Sequence, residues 1–278
     1  MYKTILIHVD GSARSAGRTA AGARLALLNE AHLIGAAMTG LQSYLLPVGD
    51  YEIGFEVLGM PLAQLRAEAD AALAQFELTA SAAGVPSIER RCIDDEAGMG
   101  MSLQARYCDL AVISQVSPDE FQPRLRSDFP DYVVLNATCP VLVLPLAGAP
   151  STLGQRVTVA WNGSAEAVRA ITSAIALLQR AQQVDLVVFD PDLAGDLHGE
   201  EPGADIALWL ARHGVRAEVS VRLADLPEGQ SLLAFAQEKK SDLIVMGAYG
   251  HSRFREIMLG GMTRDLLAGS PISLWMSH

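Results

Sequence analysis

Short apolar runs alternate with longer stretches of helical periodicity from one end of the chain to the other. The short runs fit buried strands, and the 3.6-period stretches between them fit helices. In the first half this pattern predicts strands near Thr4–Asp10, His32–Met38, Ile88–Ile93, Leu110–Ser114 and Val141–Leu144. Helices are predicted between them, over Ala13–Leu28, Pro61–Ala83, Gly98–Arg106 and Tyr132–Ala137. Pro61 suits a first helical position, which needs no N–H donor. In the second half strands are predicted near Val157–Trp161, Val184–Phe189, Val215–Val221, Leu243–Met246 and Ile272–Trp275. The helices there are Ala165–Arg180, Ala204–His213, Ser231–Lys239 and Met262–Ala268. Strict alternation of strand and helix implies α/β units, with parallel sheets covered on both faces and right-handed crossovers.

The two halves repeat one plan. Thr4-Ile-Leu-Ile-His-Val-Asp10-Gly-Ser12 matches Val157-Thr-Val-Ala-Trp-Asn162-Gly-Ser164. Asp109-Leu-Ala-Val-Ile-Ser114 matches Asp242-Leu-Ile-Val-Met-Gly247, and Cys139-Pro140-Val-Leu-Val-Leu matches Ser270-Pro271-Ile-Ser-Leu-Trp. The period is too long for a solenoid and predicts two tandem domains. Leu146–Gln155 has linker composition, so the domains are expected over 1–147 and 155–278. Each is expected to be a five-stranded, mostly parallel, Rossmann-like sheet with helices on both faces.

Composition narrows the function. Half of the 278 residues are hydrophobic and 19% are charged, which suits a large packed core. A net charge of −11 argues against nucleic-acid binding, which needs a basic footprint, but leaves room for a local site for a small anion. Cys92, Cys108 and Cys139 are scattered and odd in number, so neither a disulfide framework nor a zinc cluster is expected, and a reducing compartment fits. The chain enters a strand at once, leaving no room for a signal peptide. No apolar run reaches the ~18–20 residues of a membrane span. A soluble cytoplasmic protein that binds neither membrane nor nucleic acid is the expectation.

The candidate chemistry lies between the fourth strand and last helix of the second half. Gly247-Ala-Tyr-Gly250-His-Ser-Arg leads to Gly260-Gly261-Met-Thr263 at the helix entry. Phosphate binds at such junctions, where bare backbone N–H groups meet the positive end of a helix. Gly247 permits a sharp turn, and Gly250 lets the backbone approach a ligand. The N–H groups of Gly261, Met262 and Thr263 point out of the helix start, and the Thr263 hydroxyl can donate to a phosphate or cap the helix. His251, Arg253 and Arg255 can add positive charge, or serve as surface and salt-bridge residues. The alternative for the glycines is tight connection and close helix–sheet packing.

Ala160-Trp161-Asn162-Gly163-Ser164 ends the first strand of the same half. Asn162 can meet a ribose or a base, or cap the following helix with Ser164, and the two roles can coexist. Val188 and Phe189, ending the second strand, offer an apolar wall and backbone polar groups. The matching first-half loop, Ser114–Asp131, has Ser and Pro in place of the glycines, and its Asp119, Glu120, Asp128 and Asp131 repel phosphate. That half is therefore expected not to bind ATP in this way. Its work would be pairing with the second half or a partner, or holding a different ligand. Leu41–Met60, with Tyr44, Tyr51 and Phe55, reads as a loop packed on its own domain, a lid or a partner surface, and Asp190–Gly203 as an acidic surface loop.

Gly247-x-x-Gly250, nine residues, then Gly260 resembles the ATP-binding pattern of the universal stress protein family. The Asp/Asn-Gly-Ser turns and the Pro-Val/Ile entries to both final strands extend the resemblance over essentially the whole chain. It implies an adenine-nucleotide α-hydrolase-like fold holding ATP or ADP, with or without Mg. Adenine would lie near Ala160, Asn162 and Phe189, and phosphates near Gly250 and Gly260–Thr263. The sequence departs from the family in Asn162, where Asp is usual, and in Gly261, where Ser or Thr is usual. The resemblance also implies pairing of the two final strands within the chain, with room for a homodimer, and a stress-response or signalling role. Two other readings stand beside it, an interaction module without a nucleotide and an enzyme. No Walker, PP-loop or HIGH-type motif is present and no general base stands out, although slow ATP hydrolysis remains compatible.

Overall fold

The computed structural model describes residues 1–40, 62–117, 125–191, 200–250 and 261–278. Contacts divide the chain into two compact units, Met1–Cys139 and Pro140–His278.

The first unit contains β1 (Thr4–His8), α1 (Ser15–Asn29), β2 (His32–Met38), α2 (Leu62–Ala82), β3 (Ile88–Ile93), α3 (Ala97–Gln104), β4 (Leu110–Ser114) and α4 (Phe129–Asn136). Its strands lie in the order β3-β2-β1-β4, and the β1–β2, β1–β4 and β2–β3 ladders are all parallel. The centre of the sheet is apolar on both faces: Ile5, Leu6, Ile7, Leu110, Ala111, Val112 and Ile113 are fully buried. α1 packs on α2, and α3 on α4, as right-handed crossovers on opposite faces require.

The second unit contains β5 (Val141–Leu144), β6 (Arg156–Ala160), α5 (Ala165–Leu178), β7 (Gln183–Phe189), α6 (Ala204–Arg212), β8 (Glu218–Arg222), α7 (Glu228–Glu238), β9 (Leu243–Gly247), α8 (Met262–Gly269) and β10 (Ser273–Ser277). The order is β5-β10-β9-β6-β7-β8. All the ladders from β10 to β8 are parallel. The exception is β5, which runs antiparallel to β10 with Val143 opposite Leu274. Val141–Leu144 belongs to the first repeat by sequence, yet its contacts place it in the second unit.

The predicted elements recur with ends shifted by a few residues. The largest shifts are three residues: β8 is expected from Val215 and observed from Glu218, while α4 and α7 begin three residues before the predicted Tyr132 and Ser231. β8 is the outer strand of its unit, and most of its residues are exposed, so no buried alternation marks its start. The predicted Gly98–Arg106 helix is α3 followed by a 3₁₀ turn over Ala105–Tyr107. Pro61, Leu41–Met60 and Asp119–Pro123 lie outside the described residues, as does most of the Asp190–Gly203 loop.

The repeat has a structural reason at the start of each sheet. Asp109 precedes β4, and its Oδ2 accepts the N–H groups of Lys3 and Thr4 at 2.7 and 2.9 Å. Asp242 precedes β9, and its Oδ1 accepts those of Gly154, Gln155 and Arg156 at 2.9–3.3 Å. Each carboxylate satisfies N–H groups at the start of the neighbouring strand that the ladder leaves open, which locks β1 to β4 and β6 to β9.

Candidate functional site

In the second unit, β6 lies between β7 and β9, so the chain leaves β6 toward one side of the sheet and returns on the other. Ligands of α/β sheets bind at the carboxyl ends of the strands flanking such a reversal. Ala160 ends β6, Phe189 ends β7 and Gly247 ends β9, so these three candidates share one sheet edge. The helices that follow β6 and β9 start at the same edge.

Asn162 is exposed and builds a turn. Its Oδ1 accepts Ser164 N–H at 3.1 Å, and Ser164 Oγ accepts Ala167 N–H at 3.1 Å, capping α5. Asp10 does the same in the first unit, accepting Ser12 N–H at 3.1 Å. The Asp/Asn-Gly-Ser motif thus has a structural role in both units, an Asx turn into the next helix. Trp161 is half-buried, and its N–H donates to Val187 O at 3.0 Å. Val188 is fully buried, which leaves only its backbone to face a ligand, while Phe189 is half-buried.

The glycines divide into two roles. A Cβ on Gly247 would sit 2.5 Å from Ala167 N and 2.7 Å from Glu166 C, so this residue lets β9 press against the first turn of α5. A Cβ on Gly250 would meet Glu166 Oε2 at 3.0 Å and Ser164 Oγ at 3.6 Å. Gly250 therefore faces polar side-chain atoms, and a side chain there would press on the Glu166 carboxylate. Gly261 precedes α8 without a side-chain cap. Met262 is half-buried at the helix start. Thr263 is buried, and its hydroxyl accepts Tyr249 N–H at 3.4 Å, tying the β9 exit to α8. His251, Arg253, Arg255 and Gly260 lie outside the described residues.

Two backbone conformations mark this edge. Tyr249 has φ 56° and Asp190 φ 43°. Left-handed non-glycine residues are uncommon and cluster at functional sites. The other two described cases, Glu30 and Lys240, follow helix ends, where the conformation is routine. Asp190 is held by Ala224 N–H at 3.1 Å. Tyr249 packs edge-on to His278, whose Nδ1 donates to Ala248 O at 3.0 Å.

Glu166 was not singled out from sequence. Its Oε1 pairs with Arg169 Nη2 at 2.8 Å, and its side chain is only 15% exposed. An acid in the first turn of a helix favours the positive end of the dipole, and that position puts this one beside Gly250. The residue has a sequence signal, an acid two positions after the Asn-Gly-Ser cap.

The first unit carries a different set at the same edge. Arg18 of α1 is 2% exposed, and its Nη2 pairs with Asp10 Oδ1 at 2.9 Å. Its Nε donates to His8 O at 2.5 Å and its Nη1 to Ser114 Oγ at 3.0 Å. One guanidinium thus joins the exits of β1 and β4. Asp10 is partly desolvated, which opposes ionisation, but Arg18, His8 and the Ser12 hydrogen bonds outweigh burial and hold its carboxyl far below the usual range. Burial lowers His8 from 6.5 to about 4, so the imidazole is neutral at pH 7. His8 also packs against Phe129, with ring centroids 4.7 Å apart.

Among the described residues no cluster of three or more His, Cys, Asp or Glu side chains could hold a metal, and no helix is long and apolar enough to cross a membrane. The three cysteines are free thiols. Burial pushes Cys108 up to about 11 and Cys139 up to about 12, which removes both as thiolate nucleophiles at neutral pH.

Two α/β units with parallel-dominated sheets, each turning from its first strand into a helix through an Asx turn, define a tandem doubly wound protein with ligand-site geometry at the carboxyl edge. The universal stress protein family model matches residues 1–145 and again 154–278, and the chain belongs to that family. A universal stress protein from Archaeoglobus fulgidus DSM 4304 is similar over 99% of this chain and 95% of its own, at 16% identity and a TM-score of 0.74. A functionally unknown protein from Pseudomonas aeruginosa PAO1 is similar over 99% of this chain and 92% of its own, at 12% identity and a TM-score of 0.60. A universal stress protein from Archaeoglobus fulgidus in complex with dAMP aligns with 51% of this chain and 97% of its own, at 18% identity and a TM-score of 0.37. At these identities the structural matches bear on fold, not on ligand. No curated protein matches the chain.

Proposed function

We propose that the second unit binds one adenine nucleotide, ATP or ADP, and that the first unit binds none in this way. The protein then acts as a stress-response or signalling module whose surface changes with nucleotide occupancy. The observation that carries this reading is the meeting of Gly250 with the start of α5 at the sheet reversal, where a Cβ would come within 3.0 Å of Glu166 Oε2 and touch Ser164 Oγ. The left-handed Tyr249 beside it and the start of α8 at Gly261, without a side-chain cap, add support. Base and ribose would lie near Ala160, Trp161, Asn162 and Phe189, and phosphates near Gly250 and Gly261–Thr263.

The Glu166 carboxylate favours a second reading. It lies where a phosphate held by Gly250 would feel it, and an interaction module without a nucleotide would carry no such conflict. Calorimetric titration of the full chain with ATP separates the two. One site per chain supports the nucleotide reading, whereas two equivalent sites or no binding overturn it. Gly250→Val places a branched side chain against Glu166 and Ser164, and is expected to abolish binding in a chain whose circular dichroism is unchanged.

A further inference from the structure

β8 closes one side of the second unit's sheet, with β7 as its one neighbour among the described strands. Asp190 N–H donates to Arg222 O at 3.0 Å, so the backbone of Arg222 turns toward β7. Peptide directions alternate along a strand. Ser220 and Glu218 therefore also turn inward, and Val219 and Val221 present their N–H and C=O groups to the open edge. Their side chains are 36% and 49% exposed. An open edge of this kind is a template for another strand. Charges along a strand discourage such pairing, and β3, the outer strand of the first unit, carries Glu89, Arg90 and Arg91 in its middle. β8 has charges only at its two ends, Glu218 and Arg222, of opposite sign.

That arrangement is complementary to itself. Two copies of β8 laid antiparallel about a two-fold axis at Ser220 place Glu218 of each opposite Arg222 of the other, and Val219 opposite Val221. The valines then form the hydrogen-bonded pairs, through the peptide groups that face outward. Glu218 and Arg222 fall at non-hydrogen-bonded positions, where opposed side chains lie closest. An axis at Val219 would instead oppose Arg222 with Arg216, and one at Val221 would oppose Glu218 with Ala224 and Arg222 with Ser220. Within the chain Glu218 lies 3.7 Å from Lys239 and Arg222 lies 3.4 Å from Glu238, both near the end of α7. Across the axis these pairs join into one row of alternating sign: Lys239 and Glu218 of one copy, then Arg222 and Glu238 of the other.

We propose that β8 pairs antiparallel with β8 of a second copy of this chain, in the register that opposes Glu218 to Arg222, and so forms a two-fold dimer. A five-residue edge buries little surface, so the dimer is weak and depends on concentration. The proposal is independent of nucleotide binding.

Sedimentation equilibrium of the full chain, from low micromolar to submillimolar concentration, tests it with two charge reversals. Glu218→Arg opposes arginine to arginine across the axis, and Arg222→Glu opposes glutamate to glutamate. Each variant alone is expected to weaken dimerisation about tenfold. Mixed in equal amounts, the two variants bring opposite signs together at both positions and are expected to recover the wild-type dimer affinity as a heterodimer, with one variant carrying a fluorophore to report it. Both positions are exposed, and unchanged circular dichroism shows that each variant keeps its fold. A wild-type chain that stays monomeric throughout, single variants that dimerise like wild type, or a mixture that associates no better than its components overturns the proposal. Neither residue is among those proposed to hold nucleotide, so the ATP titration and this test fail separately.

Discussion

Gly247→Ala tests whether the first glycine of the Gly-rich segment serves packing rather than ligand approach. The added methyl would lie 2.5 Å from Ala167 N, 2.7 Å from Glu166 C and 2.8 Å from Glu166 Cβ. That is about 1 Å inside ordinary contact. Two of the three atoms are backbone in the first turn of α5, and no rotamer change removes them. Either β9 or the start of α5 must move, and the Ser164 cap moves with it. Overpacking of this kind costs about 1–3 kcal/mol, and a clash with helix backbone belongs near the upper end. For a unit of this size ~3 kcal/mol lowers the melting temperature by about 6–12 °C. All three tryptophans, Trp161, Trp209 and Trp275, lie in the second unit, so intrinsic fluorescence during urea unfolding reads this unit alone. Gly269→Ala is the control. It ends α8 with nothing within 4 Å of its added methyl, and should be neutral or stabilise by about 0.5–1 kcal/mol. A Gly247→Ala midpoint equal to wild type would refute the packing role and return Gly247 to the ligand.

Other expectations concern charge. Arg18→Met leaves the partly buried Asp10 without its guanidinium and should destabilise the first unit by about 1–3 kcal/mol, read by calorimetry. Adding Asp10→Asn should cost less than the sum of the two single changes, because both act on one pair; strict additivity would refute the coupling. Glu166→Gln should raise ATP affinity about tenfold in Mg-free buffer by removing a negative charge beside the phosphate position, after screening by Arg169 and solvent; unchanged affinity would separate Glu166 from the site. Acid should weaken the first unit through His8, whose folded value of about 4 lies below the usual 6.5. The unfolded chain takes up the proton as pH falls through 6.5 while the folded unit resists until about 4, so stability rises with pH across that window. The gap is worth about 3 kcal/mol. Asp10, also held below its usual value, adds loss at lower pH in the same direction. His8→Leu should flatten the dependence between pH 4 and 6.5, and an unaltered slope would show that His8 does not set it.

The sheets were legible because their central strands are apolar on both faces. Leu110–Ser114 and Val141–Leu144 have no other way to bury their side chains, and each was placed to the residue. β8 was misplaced at its start because an outer strand with most residues exposed has little hydrophobic pattern to read. The pairing of β5 with β10 followed from the resemblance, but its antiparallel direction did not, and periodicity does not encode strand direction. At the site, sequence spacing located the junctions but did not separate the tasks of the glycines. Gly247 and Gly250 look alike in sequence, yet one faces helix backbone and the other a carboxylate and a hydroxyl. Arg18 and Glu166 were missed for a shared reason. A single charged residue on a helix reads as solvated until the neighbouring strands show what lies above it.

The two units differ at this edge in a way that local charge explains. Aligned on Asp10-Gly-Ser12 and Asn162-Gly-Ser164, His8 corresponds to Ala160, Arg14 to Glu166 and Arg18 to Ala170. Both Asp and Asn offer the side-chain oxygen that the Asx turn requires. Among the described residues only the first unit places a buried guanidinium beneath it, and there the oxygen must carry a charge, because a lone buried cation is costly. The second unit has Ala170 at that depth, fully buried and apolar. An Asp at 162 would have no cation beneath it among the described residues, and Asn makes the same turn without the charge. The departure from the family's usual Asp is therefore coupled to loss of the buried arginine, and is not by itself a sign of a failed site. Glu166, where the first unit has Arg14, then sets the electrostatics at Gly250, and on the proposed nucleotide reading it, more than Asn162, would oppose a phosphate there.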